Sequence, residues 1–193
     1  MRARGLGGLI LAVFLTAGCA MRPPPKLYVL SPATDVPAMG EAPVRAIVRV
    51  RLPSFLDRRD IVSKEGRNRL EVNDDNRWGE PLGENMEHVL AEDLTRSLGT
   101  VRVVVPQEGR GKAVPYEYLI DLDAYEAQGD RAIMRGRWQL RDLRSGRTVA
   151  ESAFDLRRAI KPGDYSSIVA ALNRNLNDAG RRMADATVAR LQP

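Results

Sequence analysis

The sequence predicts an α+β domain in which two helices pack on one face of a largely antiparallel sheet. Apolar residues recur at helical spacing near residues 82–98 and 164–191. Residues 44–52, 116–124 and 132–140 alternate between apolar and polar types instead, as half-buried strands do. The resulting order, β-β-β-α-β-β-β-β-α, groups the strands in runs, which is typical of α+β domains.

The strands predicted before the first helix are short. The first covers residues 27–30 and ends at a Ser-Pro pair. Residues 31–43 contain three prolines and a glycine, which indicates a loop. The second strand is the alternating segment 44–52, and a third at 69–72 precedes an Asn-Asp-Asp-Asn turn at 73–76.

The first helix is predicted over residues 82–98, with Gly99 as its C-terminal cap. An apolar strand at 101–105 follows and ends at Pro106. Three further strands, separated by the turns QGD and RSGR, predict an antiparallel meander. The last helix begins after an N-cap at Asp164. The meander strands and this helix are placed at 116–127, 131–140, 148–157 and 164–191.

The N-terminus has the features of a secretory signal. Two arginines precede an apolar stretch of 11 residues, and small residues then lead to Cys19, which is the one cysteine of the chain. The apolar stretch is too short to span a bilayer, which takes about 20 residues. The sequence thus predicts a signal peptide at 1–18, a proline-rich tether at 19–26 and a single domain at 27–193.

The segment LTAGC, which ends at Cys19, resembles a bacterial lipoprotein signal, although Thr16 stands where such signals usually have Leu. The resemblance implies that the thiol of Cys19 is diacylated, that the chain is cut before it, and that the new amine is acylated as well. Stable anchoring needs more than one acyl chain, and three exceed that requirement. An ordinary signal peptide with an incidental Cys19 is the alternative. The prolines that follow indicate a stiff, extended spacer.

Composition and motifs argue against several function classes. The formal net charge of +5, part of which leaves with the signal peptide, is too small to indicate nucleic-acid binding. The one histidine, His88, has no nucleophile-elbow pattern to serve in a Ser-His-Asp site, and a zinc site needs more ligands. The pair Asp74-Asp75 lacks the spacing of a calcium loop. We therefore expect no enzyme activity, no cofactor and no metal site.

Two stretches mix large apolar residues with charges: LPSFLDRRDIV at 52–62 and DNRWGEPL at 75–82. In loops, such groups are candidates for a contact surface. The alternative is that the aromatic side chains fold inward and plug the ends of the sheet. The candidate partner-binding residues are Phe55, Leu56, Asp57, Arg58, Arg77 and Trp78.

Taken together, YVLSP, LPSFLDRRDIV and RWGEPLGENMEHVLAEDLTRSLG resemble the PqiC family, the ABC-type transport auxiliary lipoproteins. The resemblance runs from the lipoprotein signal through the final helix. It implies a lipoprotein of the outer membrane that faces the periplasm and catalyses no reaction. Ala20 fits this location, because Asp directly after the cysteine favours retention at the inner membrane.

The same resemblance implies an MCE-domain protein as the partner. Such proteins form rings or tubes that carry lipid between the two membranes, and an ABC transporter powers some of them. The leading hypothesis is a docking module of a PqiB-like system that contributes to membrane integrity. Because repeated contacts best match a symmetric tube end, we expect a homo-oligomer that forms a ring. The alternative is a periplasmic lipid carrier with an acyl-chain cavity between sheet and helices. A hydrolase is disfavoured by the missing nucleophile and base.

Overall fold

The computed structural model describes residues 23–34, 45–99, 103–106 and 114–191. The predicted signal peptide, Cys19 and the first two residues of the strand predicted at 101–105 therefore lie outside the described residues. None of the described helices is long and apolar enough to cross a membrane. The elements are β1 (Lys26–Tyr28), β2 (Ala46–Arg51), β3 (Asp60–Glu65), β4 (Arg69–Trp78), α1 (Leu82–Ser97), β5 (Val103–Val104), β6 (Tyr116–Gln128), β7 (Arg131–Asp142), β8 (Thr148–Ala159) and α2 (Tyr165–Leu191).

The eight strands form a mixed sheet, so the prediction of a largely antiparallel sheet was wrong. β6 is central. One of its edges pairs antiparallel with β7, and its other edge is shared by β2 and β3, which both run parallel to it. β1 with β4 and β2 with β5 are parallel pairs as well. The prediction failed because alternation identifies a strand and its buried face but not the direction of its neighbour.

The meander of β6, β7 and β8 is confirmed, and all three strands are longer than predicted. The two connections turn at Gly129 (φ 58°) and Gly146 (φ 71°), in the left-handed conformation that glycine adopts readily. Gly136 of β7 lies opposite an irregularity in β6. A Cβ at this position would stand 2.3 Å from the carbonyl oxygen of Asp121, so the close approach of the two strands requires glycine.

The structure contains one strand, β3, that the sequence did not predict. Its residues Ile61 and Val62 are buried, and it pairs antiparallel with β4. β4 in turn continues through the predicted turn at 73–76 to Trp78, with an irregular register opposite Asp60. Asn and Asp are depleted in strands, which is why this polar run indicates a turn when it is considered alone. Pairing with β3 and β1 on either side overrides that local preference.

Both predicted helices are present, and their caps are as expected. At the end of α1, the N–H of Gly99 (φ 77°) donates to the carbonyl oxygen of Arg96 at 3.3 Å. At the start of α2, Oδ1 of Asp164 accepts a hydrogen bond from the N–H of Ser167 at 3.1 Å. These bonds satisfy main-chain groups that the ends of a helix otherwise leave unpaired.

The core lies between the sheet and the two helices, which also pack on each other. Gly180 of α2 lies at this contact, and a Cβ there would stand 3.3 Å from Cδ2 of Leu90 on α1, which would have to shift by a few tenths of an ångström. The largest fully buried side chains come from both helices and from the strands they cover, and include Tyr118, Tyr125, Ile61, Leu82, Met86, Leu90, Leu94, Leu98, Ile120, Met134, Leu140 and Leu172.

Candidate functional site

The structure brings together the two stretches that the sequence singled out. Residues 52–59 form a compact turn in which the N–H of Leu56 donates to the carbonyl oxygen of Pro53 at 2.9 Å. The N–H of Trp78 donates to the carbonyl oxygen of Arg59 at 2.7 Å. The turn before β3 and the end of β4 are therefore fixed to each other, and we call them together the turn cluster.

The apolar members of the turn cluster are part of the core. Trp78 is 3% exposed and Leu56 is 2% exposed, and the Trp78 ring centroid lies 6.4 Å from that of Tyr125. Phe55 is half-buried against the same core. The inward-folding alternative therefore describes Trp78 and Leu56, whose side chains plug the end of the sheet.

The charged members of the turn cluster point outward. Two arginines converge on one carboxylate: Nε of Arg77 lies 3.0 Å from Oδ1 of Asp60, and a terminal nitrogen of Arg58 lies 3.3 Å from Oδ2. The Arg77 and Arg58 side chains remain 40% and 43% exposed, and Asp57 is exposed as well. The part of the predicted contact set that a partner can reach therefore consists of Asp57, Arg58, Arg77 and one side of Phe55.

A second polar feature lies next to the turn cluster, where residues 30–33 cross the two helices. We call this segment the strap. The N–H of Leu30 donates to Oδ1 of Asn85 at 2.7 Å, and Nδ2 of Asn85 donates back to the carbonyl oxygen of Leu30 at 3.4 Å. Nδ2 of Asn85 also donates to Glu80 at 2.7 Å, which orients the amide. A buried asparagine on α1 thus binds both main-chain groups of one strap residue.

The next strap residues are bound in the same manner. Asn173 of α2 accepts from the N–H of Ser31 at 2.8 Å and donates to its carbonyl oxygen at 3.0 Å. The N–H of Ala33 donates to Oδ1 of Asp93 at 2.8 Å, and Arg96 donates to the carbonyl oxygen of Ala33 at 2.7 Å. Side chains from both helices therefore hold the strap through its main chain.

We call the side chains that hold the strap the clamp: Asn85, Asp93, Arg96 and Asn173. The clamp was not predicted from the sequence, although a signal for it was present. Asn85 and Asp93 are polar residues directly before Met86 and Leu94, inside the apolar stripe of α1. Both are buried, at 6% and 2% exposure. Buried polar groups require hydrogen-bond partners, so polar residues at core positions of a predicted helix indicate a main chain or side chain packed against them.

Burial makes Asp93 an unusual carboxylate. Its removal from water raises the pKa to about 6, although the hydrogen bond from Ala33 and the charge of Arg96 act in the opposite direction. Arg181 of α2 also lowers the pKa, and Glu92 raises it. Loss of the Asp93 proton is therefore less favourable in the folded protein than in the unfolded chain.

We expect Asp93→Asn to change how stability depends on pH. The folded protein keeps the Asp93 proton up to about pH 6, whereas the unfolded chain releases it near 3.8. The folded state binds more protons between these values, so the contribution of Asp93 to stability falls as pH rises from about 4 to 6. Asparagine preserves the acceptor for Ala33 without the charge.

Urea unfolding measures this effect. At pH 7 the Asp93→Asn variant should be more stable than the wild-type chain, by on the order of 2 kcal/mol, and the difference in unfolding free energy should vanish below pH 4. A constant difference across the range would contradict this account.

Among the other titratable groups of the described residues, Glu126 of β6 is 4% exposed, and burial raises the pKa of its carboxyl. His88 is exposed on α1. Within residues 23–34, 45–99, 103–106 and 114–191, no group of three or more His, Cys, Asp or Glu side chains is placed to hold a metal ion. The turn cluster and the strap with its clamp are therefore the features around which a function can be argued.

Comparisons with known proteins bear on both the family and the fold. The family described as ABC-type transport auxiliary lipoprotein component matches residues 28–184. A crystal structure of an uncharacterized protein is similar with a TM-score of 0.69 at 15% identity, covering 84% of this chain and 98% of the other. Protein XCC0632 from Xanthomonas campestris, of the DUF330 family, has a TM-score of 0.68 at 17% identity, covering 86% of this chain and 96% of its own. At such low sequence identity, these TM-scores show that the three proteins share a fold. No curated protein matches the chain.

The family match begins in β1 and ends near the end of α2, so it includes the turn cluster, the strap and the clamp. It covers well over half of the sequence. It also agrees with the family resemblance that the two charged and apolar stretches indicated. The chain therefore belongs to the ABC-type transport auxiliary lipoproteins.

Proposed function

We propose that this protein is a docking component of an MCE-type, PqiB-like lipid transport system, anchored in the outer membrane and exposed to the periplasm. The family match carries the proposal, since an auxiliary component implies a transporter as partner. The signal that ends at Cys19, with Ala20 after it, supports delivery to the outer membrane. In this role the protein receives the end of the lipid-carrying assembly and thereby contributes to membrane integrity.

The packing of the core favours docking over lipid carriage. A carrier needs a cavity for an acyl chain, and the space between sheet and helices was the candidate for it. In the structure, that space is occupied by side chains such as Met86, Met134 and Leu172, none of which is measurably exposed. A hollow of about 390 Å³ on the sheet is lined by charged residues that include Asp121, Arg137 and Glu151. A second, of about 450 Å³ and lined by residues that include Ala91, Val103 and Val105, lies open at the surface beside α1 and not between sheet and helices.

The proposed role is binding rather than catalysis, and the turn cluster supplies a candidate surface for it. Arginine is enriched at protein interfaces because its planar group binds carboxylates and packs on apolar surface at the same time. Arg58 and Arg77 present such groups beside the partly exposed Phe55. A ring-forming homo-oligomer remains part of the proposal, with this surface at the subunit interface or at the MCE contact.

Extraction of lipid from the purified domain separates docking from carriage. Residues 26–193, which omit the acylated cysteine, would be exported to the periplasm behind a cleavable signal peptide and purified without detergent. We expect no phospholipid in molar proportion to protein, because buried side chains of the described residues fill the space between sheet and helices. The measurement is mass spectrometry of the organic extract. One or more phospholipids for each chain would contradict docking as the main role and favour the carrier.

A further inference from the structure

Exposed apolar side chains are concentrated at one end of the sheet. Six large apolar side chains of the described residues are at least 40% exposed, and four of them come from β1, the residue after it and β4. They are Leu27 at 65%, Val29 at 55%, Leu70 at 41% and Val72 at 42%. Single exposed apolar residues are common on protein surfaces, whereas a group of them on one face indicates a contact surface. We call these four side chains the outer patch.

Strand pairing places Leu70 and Val72 on the face of the sheet opposite the helices. Residues paired across two strands share a face, and successive residues of a strand alternate between faces. Ser63 of β3 pairs with Ala127 of β6, which belongs to the core beneath the helices. Lys64, the next residue, therefore points to the outer face, and it pairs with Leu70. Val72 stands two residues after Leu70 on β4 and shares that face.

Leu27 and Val29 lie on the same outer face. Tyr28, which stands between them, pairs with Trp78, and both aromatic side chains pack on the core. The N–H of Gly79 donates to the carbonyl oxygen of Tyr28 at 2.7 Å. A Cβ on Gly79 would stand 3.1 Å from Cγ1 of Val29 and 4.0 Å from Cβ of Leu27, so the edge packs closely on β4. The outer patch is therefore a preformed surface, held in place without the strap.

Basic side chains border the outer patch. Arg77 pairs with Leu27 across the strands and so lies on the outer face. Lys64 stands on the same face, where the carboxyl of Glu126 is buried. Arg77 and residues 57–60 together contain three arginines and two aspartates, which leaves an excess of positive charge. Anionic phospholipids attract such basic groups at the surface of a bilayer.

We propose that the outer patch rests on the phospholipid bilayer that holds the anchor. This inference depends on the proposed acylation of Cys19. Lys26 follows Cys19 by seven residues, and seven residues span at most about 25 Å in any conformation. The edge that carries Leu27 and Val29 therefore stays close to the acylated residue. Among the surfaces that could cover the patch, the bilayer is the one that the chain itself brings to this edge.

The contact determines the orientation of the domain, whereas the acyl chains supply its affinity for the membrane. The patch extends roughly 20 Å along β4, from the level of Leu27 to Leu70. Because the anchor holds the patch at a high effective concentration near the bilayer, weak contacts suffice to orient it. The helices then point away from the lipid. Arg77 belongs both to the outer face and to the turn cluster, so a partner bound there lies at the bilayer surface.

Fluorescence quenching tests this contact in the full-length, acylated protein. The vesicles contain phosphatidylethanolamine and phosphatidylglycerol with brominated acyl chains, which quench a dye that enters the bilayer. Since lipid occupies the thiol of Cys19, a nitrobenzoxadiazole dye labels an added cysteine at Leu70→Cys selectively. Leu143→Cys carries the control label. Leu143 is 44% exposed and follows the end of β7 that pairs with the start of β6, whereas β3 pairs with the end of β6.

We expect the dye at position 70 to be quenched about threefold or more over the dye at position 143, because an apolar face enters the boundary between head groups and acyl chains. In the chain labelled at position 70, Leu27→Glu with Val72→Glu should reduce quenching to the level at position 143. Leu143→Glu with Val104→Glu is the matched control, since it makes the same two replacements at side chains 44% and 40% exposed. This control should leave the quenching unchanged.

Equal quenching at both positions, or quenching that Leu27→Glu with Val72→Glu leaves unchanged, would overturn the proposal. Self-association that this pair of changes weakens, without lipid quenching in the parent chain, would assign the patch to a second copy and overturn it as well. If circular dichroism shows that the double variant does not fold, Leu27→Glu alone gives the same test. Intact mass separates the two levels: an acylated chain without quenching contradicts this inference and leaves the anchor, whereas a chain without acyl groups contradicts both.

Discussion

Replacement of Trp78 by alanine is expected to lower the free energy of unfolding by about 3–5 kcal/mol. The side chain is 3% exposed and packs beside Tyr125 at the end of the sheet. Removal of a buried aromatic ring loses its transfer free energy and leaves a cavity that the neighbours fill only in part. Urea unfolding, followed by circular dichroism, measures the change.

Arg77→Ala is the matched control for this variant, since it alters the adjacent residue of the same strand. Its side chain is 40% exposed, and its ion pair with Asp60, which is 19% exposed, is partly buried. Exposed pairs contribute about 1 kcal/mol or less, so we expect a loss somewhat above that value but below the loss for Trp78→Ala. The opposite result for Trp78→Ala would be a nearly unchanged free energy of unfolding with weaker self-association or partner binding. It would show that Trp78 contacts another subunit or a partner and does not stabilise the core.

A Cys19→Ser chain is expected to lose acylation completely. A serine hydroxyl cannot replace the thiol that forms the thioether to lipid, so the chain should stay an unprocessed precursor at the inner membrane. Intact mass of the isolated protein is the measurement. The wild-type chain should begin at Cys19 and carry three acyl chains.

Thr16→Leu is a suitable control for the anchor, because it restores the residue that lipoprotein signals usually have at this position. This variant should be processed and acylated at least as well as the wild-type chain. A wild-type protein that begins at or near Cys19 without any added lipid would disprove the anchor and support an ordinary signal peptide.

Much of the fold follows from local patterns in the sequence. The helical stripe around Met86 and the alternation around Trp138 each identify an element and its buried face, because these patterns depend on neighbours within the same segment. β3 and the parallel pairs around β6 did not follow. They depend on contacts between segments far apart in the chain, and a polar run such as residues 73–76 becomes a strand only when strands lie beside it.

The candidate site was predicted only in part, because it too depends on contacts between segments far apart in the chain. The sequence identified Phe55, Arg58, Arg77 and Trp78 as unusual, and the structure places them in one cluster. The sequence alone does not determine which of these side chains are buried, because their burial depends on how β3 and β4 pair. The clamp was missed because the sequence shows only one half of it: Asn85 and Asp93 interrupt the apolar stripe of α1, but their partners are main-chain groups, which have no signature in residue type.

The central claim is that this protein docks on an MCE-type lipid transport system, and affinity capture tests it most directly. The full-length, acylated protein would be cross-linked in cells, solubilised from the total membrane fraction and captured through a C-terminal tag, with the Cys19→Ser chain as control. We predict that mass spectrometry finds an MCE-domain protein enriched with the wild-type chain and absent from the control. Equal recovery with both chains, or enrichment of no MCE-domain protein, would contradict the account.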